Sequence, residues 1–347
     1  MKTLFFTGAT GFIGGTVLSA VITALEENKI DTTFRVLVRT EAKKDKLIKW
    51  AKVRGYNNIV PVLGSLDDFE LLASEVEGAD YVVDCADCDS MPGARALIEG
   101  LQRAINNKKS PVVVHTSGTN ILCDWAHGMK QETKVVHDAD QAEIDAVPED
   151  NPHRDVDVLL TKFYRDNADK YDQTIIIPPT IWGLGRGPDL DTSVQIPLAI
   201  RYAIKNRQAY SVGKGINVWT HINVVDLAAF YAHILVRMIK EPRKHTGYYF
   251  CENGEFEWRE VVQEVQNALV QNGFSTTREY KEVYMEDGSY EKIYGKDNVA
   301  SFAIGNNSRS KGTRARESGW EPKLSSRELF FAHIADQVHL IADREFK

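Results

Sequence analysis

The stretch TGATGFIGG sets Gly8, Gly11 and Gly14 between an apolar run and an amphipathic one. Glycines so placed permit a tight turn, close approach of backbone to a pyrophosphate, and close packing of helix on strand. A helix opening there directs unpaired N–H groups and the positive end of its dipole at the phosphates. Thr7, Gly8, Thr10, Gly11, Phe12, Ile13 and Gly14 are therefore expected to cradle a dinucleotide. The second apolar run ends in VLVRT, which puts Arg39 where an acidic residue would grip the ribose 2′-hydroxyl of NAD. A planar cationic fork suits a 2′-phosphate instead, and Lys43 follows nearby, so NADP(H) is the expected cofactor.

Two further groupings bear reactive side chains. His153 and Asp157 lie four residues apart behind Asn151–Pro152, which reads as a helix start. On a shared face the carboxylate would orient the imidazole and raise its pKa; the alternative is a solvated first turn whose acids complement the helix dipole. Cys85 and Cys88 form a CxxC, and without a second ligand pair this spacing points to packing at a strand end before zinc or redox chemistry.

These residues need elements to hold them. Strand-like runs recur at 3–8, 34–39, 58–64, 81–86, 112–117 and 174–179, and Val17, Leu18, Val21, Ile22 and Leu25 make one apolar helical face between the first two. Apolar strands separated by helices imply a parallel sheet covered on both faces, and right-handed crossovers make it a doubly wound α/β fold of Rossmann type. Regularity declines after residue 180. Residues 1–180 are expected to form the cofactor domain, with a return segment around 216–250, and 181–347 mainly a smaller, discontinuous substrate lobe. The charged stretch at 276–296 reads as a solvated connection.

Composition restricts the function classes. The 347 residues are 43% hydrophobic and 26% charged, with a net charge of −7 and no basic block, which disfavours nucleic acid and anionic membranes as partners. No apolar run approaches the roughly 20 residues that span a bilayer. The N-terminal apolar run leads straight into the glycine motif and so reads as a strand, not a signal peptide. The four cysteines make no disulfide framework in a chain this long, which fits a reducing cytoplasm. A small-molecule substrate is the expected partner; a homo-oligomer is compatible with the sequence without being indicated by it.

Beyond these local readings, the chain resembles the extended or atypical short-chain dehydrogenases/reductases, in particular the epimerase/dehydratase-like group and its fungal NmrA-like members. TGATGFIG is similar to the group's glycine motif, GSLDD (64–68) to its GDLxD segment, and GADYVVDCA and VVVHTSGT to its fourth- and fifth-strand motifs. IIPPTIWGLG, HINVVDLA and SGWEPK are similar to its later signatures, so the likeness runs along nearly the whole chain. It implies further cofactor contacts at Ser65, Leu66, Cys85, Ala86, Pro178, Thr180 and Ile181.

The resemblance also implies that Ser117 hydrogen-bonds the reacting oxygen, with Thr119 beside it. The group's tyrosine, four residues before a lysine, is missing. Anchoring on Lys162 puts Val158 in the tyrosine slot; counting back from Pro178–Pro179 offers Pro152–Val156 or His153–Asp157. Candidate catalytic residues are thus Ser117, His153, Asp157 and Lys162. Trp219 falls where sugar-nucleotide epimerases carry an arginine and Gln195 where they carry an asparagine, so with Trp182 these are expected to line a more apolar substrate pocket. Trp125 is a further candidate for that wall. The implied activity is NADP(H)-dependent hydride transfer to or from a small apolar molecule, such as a specialised metabolite with an imine, enone or carbonyl. A redox-neutral isomerase or cyclase and an NmrA-like NADP sensor are the alternatives.

Overall fold

The computed structural model describes residues 1–296 and 299–346. Strands β1 (Lys2–Thr7), β2 (Thr32–Val38), β3 (Ile59–Leu63), β4 (Tyr81–Asp84) and β5 (Val112–Thr116) alternate with helices α1 (Phe12–Glu27), α2 (Glu41–Arg54), α3 (Phe69–Gly78) and α4 (Met91–Asn106). An excursion follows, with β6 (Val136–His137), α5 (Gln141–Asp145) and α6 (Arg154–Asp166), before β7 (Asp172–Ile177) rejoins the sheet. The chain then crosses into a second lobe through β8 (Thr180–Trp182), α7 (Gln195–Asn206), β9 (Tyr210–Val212) and β10 (Val218–Asn223). It returns by α8 (Val224–Lys240) to β11 (Gly247–Phe250) at the sheet edge. The remainder comprises β12 (Glu255–Glu257), α9 (Trp258–Gln271), β13 (Lys281–Val283), α10 (Ser289–Tyr294), α11 (Val299–Ile304), β14 (Ser310–Lys311), α12 (Thr313–Glu317) and α13 (Arg327–Glu345).

The central sheet has seven parallel strands in the order β11-β7-β5-β4-β1-β2-β3. This is the Rossmann-type α/β arrangement expected from the strand spacing. Its order reverses between β1 and β4, and the crevice beyond their carboxyl ends is where such folds bind ligands. One sheet face is buried under α1 and α8, through Val17, Val21, Leu227 and Tyr231 among others. The opposite face packs Leu72, Leu97, Leu101, Val156 and Leu160 from α3, α4 and α6. Because both faces are covered, the strands read as continuous apolar runs rather than as alternating ones.

A separate core fills the second lobe, where β12-β10-β8 form a small sheet against α7, α9 and α13. Tyr290 and Tyr294 of α10 belong to it, so the stretch 276–296 is not simply a solvated connection: it holds β13 and α10. Buried tyrosines at i and i+4 overcame its charged composition. Among the described residues, no helix is long and apolar enough to cross a membrane.

Candidate active site

The glycine turn sits on the loop after β4. Gly8 has φ +78°, and a β-carbon there would lie 2.2 Å from the Cys85 carbonyl oxygen. Gly11 caps α1 from an extended conformation, leaving the first N–H groups of that helix facing the crevice. A cleft of about 380 Å³ opens over this turn, lined by Gly8, Thr10, Gly11, Arg39, Lys43, Ser65, Leu66, Cys85 and Ala86. Arg39 is exposed at the cleft's rim.

The other expected cofactor residues lie around this cleft without lining it. The Thr7 hydroxyl is turned away and donates to Asp84. Phe12 and Ile13 open α1, while Gly14 packs against the Gly8 carbonyl. The Pro178 carbonyl accepts the Thr119 N–H, Thr180 is wholly buried, and Ile181 pairs in register with Ile222. Asp67, Asp87, Ser90 and Leu190 line the cleft in addition. Ser90 was legible as the N-cap of α4, ahead of a proline in the first turn, and its hydroxyl accepts from Gly93 N–H at 3.1 Å. Leu190 carried no local signal, because only the folding of the 183–191 loop over Thr10 brings it there.

Beyond Ala86 the same loop reaches a cluster of ionisable groups. The Ser117 hydroxyl, at the end of β5, donates to Asp157 Oδ2 at 2.8 Å. Asp157 is fully buried, its Oδ1 has no hydrogen-bond partner, and burial pushes its carboxyl up to about 6. His153 meets Asp89 Oδ1 at 2.6 Å and Cys88 Sγ at 3.3 Å, both through Nδ1. Hydrogen bonding to His153 holds the Asp89 carboxyl below its usual range. Burial pushes the Cys88 thiol up, and the nearby carboxylates of Asp89, Asp157 and Asp87 push it the same way. Deeper in, His115 Nδ1 pairs with Asp84 at 2.8 Å. Burial opposes charge on both groups, yet their mutual hydrogen bond raises the imidazole and lowers the carboxyl.

This geometry corrects two readings of the α6 region. The helix begins at Arg154, not at Asn151–Pro152, because His153 takes a left-handed conformation with φ 66° and breaks the helical backbone. Its ring therefore swings to the β4–α4 loop, and Asp89 orients it in place of Asp157. Lys162 is exposed on α6, five positions beyond buried Asp157 and so about 140° around the helix. It does not join Ser117. Tyr164 packs edge-on against Tyr171, with ring centroids 5.5 Å apart.

The expected apolar pocket walls are also corrected. Trp182 and Trp219 are 3% and 2% exposed and belong to the core of the second lobe. Their indole N–H groups are taken up internally, by His221 Nδ1 at 3.2 Å and the Asn306 carbonyl at 2.6 Å. Gln195 opens α7 and donates to the Ala303 carbonyl at 2.6 Å, and Thr119 is 1% exposed. Trp182 on β8 and Trp219 on β10 pack with Phe256, Trp258 and Phe330 in the core of that lobe. Trp125 alone of the three tryptophans is half exposed.

No protein-family model matches the chain. An oxidase, ucsJ, from Acremonium sp is 28% identical over 343 residues, covering 92% of this chain and 93% of that protein. The dTDP-glucose 4,6-dehydratase of Bacillus anthracis, solved in complex with NAD, superposes with a TM-score of 0.64 at 16% identity, covering 99% of this chain and 98% of that one. The UDP-glucose 4-epimerase of Thermotoga maritima, solved with UDP-glucose, gives a TM-score of 0.61 at 15% identity over 98% and 99% of the two chains. In architecture, the chain shares the fold of these two enzymes, the Rossmann-type fold that its motifs led one to expect.

Proposed function

We propose that the protein is an NADP(H)-dependent oxidoreductase that transfers hydride to or from a small organic molecule. The observation that carries this reading is the cleft itself. Its floor admits no side chain at Gly8, its rim carries Arg39 and Lys43, and the loop that lines it goes on to Cys88 and Asp89, which meet His153. These residues fit a phosphorylated dinucleotide: the α1 N-terminus and the glycine backbone would hold the pyrophosphate, and Arg39 would take the 2′-phosphate. The bound cofactor supplies or accepts the hydride.

The chain's own groups then handle orientation and protons. In this reading Ser117, whose hydroxyl is held by Asp157, hydrogen-bonds a reacting oxygen or nitrogen. Asp157 stands directly behind it as a proton reserve, poised near neutrality by burial. An iminium substrate would leave this reserve unused, since hydride addition there yields a neutral amine; a ketone would draw on it. The ionisable cluster favours an enzyme over a sensor, since a sensor has no need for a buried titrating carboxylate. The 28% identical oxidase supports redox chemistry.

The test uses NADPH deuterated at the nicotinamide C4 and a panel of cyclic iminium ions, enones and ketones. Deuterium in the product with equal consumption of cofactor is the expected result. Product formed without cofactor consumption replaces this reading with a redox-neutral isomerase or cyclase.

A further inference from the structure

The geometry points to a divalent transition-metal site, of zinc type, formed by Cys88 Sγ, Asp89 Oδ1 and His153 Nδ1. This is the one group of three His, Cys or acidic side chains among the described residues whose ligand atoms converge, all within 4.8 Å of one another. Zinc bound by one sulfur, one nitrogen and one oxygen at roughly 2.0–2.3 Å sets those atoms about 3.2–3.6 Å apart in a tetrahedron. The sulfur and nitrogen are already 3.3 Å apart, and the oxygen, 2.6 Å from the nitrogen, needs to move out by less than an ångström. The donor set, thiolate with imidazole and carboxylate, suits a borderline ion and not magnesium or calcium.

Two observations outside the three ligands bear on the site. Gly118 has no side chain where one would stand 3.2 Å from the His153 ring, so the imidazole is seated directly on backbone. Asp157, whose N–H donates to the His153 carbonyl at 3.2 Å, keeps its Oδ1 wholly buried without a partner. A carboxylate desolvated beside a Cys–Asp–His set gains its missing compensation from a cation. Three protein ligands leave a fourth position open, which is the form of a catalytic zinc site.

On the oxidoreductase reading, such an ion would polarise the substrate's oxygen as a Lewis acid and so stand in for the missing tyrosine. The site itself does not depend on that reading. The test strips the full-length chain with EDTA, dialyses it against zinc chloride, and counts metal by mass spectrometry. A parallel titration with cobalt chloride follows the visible and near-ultraviolet spectrum. One zinc per chain is expected, with a thiolate-to-cobalt charge-transfer band and the intense d–d bands of tetrahedral cobalt. Cys88→Ser should abolish the charge-transfer band and weaken zinc at least tenfold, His153→Ala should weaken it similarly, and Cys123→Ser should change neither. Circular dichroism confirms that each variant is folded. Substoichiometric zinc in the parent chain, or equal zinc in the parent and Cys88→Ser, overturns the site and leaves Asp89–His153 an ion pair only. NADPH titration of the same samples keeps the two proposals apart, since loss of cofactor binding overturns the oxidoreductase and loss of zinc overturns the metal.

Discussion

Arg39 and Asp157 carry the sharpest expectations at the scale of single residues. Arg39 lies exposed just after β2, and the nearest acidic residue, Glu41, opens α2 and pairs with Lys44 at 3.0 Å. Arg39→Ala should cost NADPH about tenfold in affinity, or about 1.4 kcal/mol, and leave NADH unchanged in calorimetric titration. Asp157 links stability to pH with a definite sign. Its carboxyl is raised from 3.8 to about 6 on folding, so the folded state holds the proton more tightly. The resulting stabilisation is complete below pH 3.8 and is lost as pH rises through about 6. The melting temperature of Asp157→Asn minus that of the parent should therefore climb across this window and level off above it; a flat difference means that burial does not hold the proton. The same variant should lower turnover about a hundredfold where the substrate needs a proton. Tyr164→Phe should leave turnover unchanged, because that ring packs on Tyr171.

Elements place these side chains, and the glycine turn shows how narrowly. Gly8 and Gly55 share a left-handed backbone, with φ +78° and +75°, but a β-carbon at Gly55 meets nothing within 4 Å. Gly55→Ala should cost only the conformational penalty, about 1–2 kcal/mol. Gly8→Ala adds a collision with the Cys85 backbone, so it should exceed about 3 kcal/mol and abolish cofactor binding. Chemical denaturation of the pair separates the two contributions. The start of α6 makes a similar point. One left-handed residue, His153, moves the helix boundary and hands Asp157 to Ser117 while delivering its own ring to Asp89.

Across the whole molecule, one carboxylate ties the two lobes together. Asp226, in the first turn of α8, accepts the backbone N–H of Lys323 at 3.0 Å and of Leu324 at 2.7 Å, and the Ser325 hydroxyl at 2.5 Å. Trp320 packs edge-on against Phe230 close by, with centroids 5.2 Å apart. The HINVVDLA and SGWEPK segments, remote in sequence, thus form one lock between the cofactor sheet and the start of α13. Asp226→Ala would leave the buried Ser325 hydroxyl and two part-buried backbone N–H groups without this acceptor. We expect a loss of about 2–4 kcal/mol by thermal melting, with Asp226→Asn intermediate because it keeps one acceptor oxygen.

Local pattern alone determined six of the seven sheet strands and the glycine cradle, while the edge strand β11 was not among the apolar runs. Each of these rests on residues within a few positions of one another: apolar runs at Phe5, Val36 and Val114, the Gly8–Gly14 turn, and Arg39 directly after its strand. The residue before Lys162 was equally legible, since Val158 and not a tyrosine stands four positions ahead of it. What tertiary structure decided was every partnership across distance. Asp157 reaches Ser117 and His153 reaches Asp89 only because parallel strands lay the ends of β4 and β5 beside the start of α6. Trp182 and Trp219 went into a core and not a pocket because their strands, β8 and β10, face α7, α9 and α13 across a close-packed interior. Burial then set the charges. A carboxyl such as Asp157 is ordinary in sequence, and only its removal from water, with Oδ1 left unpaired, makes it a group that titrates near neutrality.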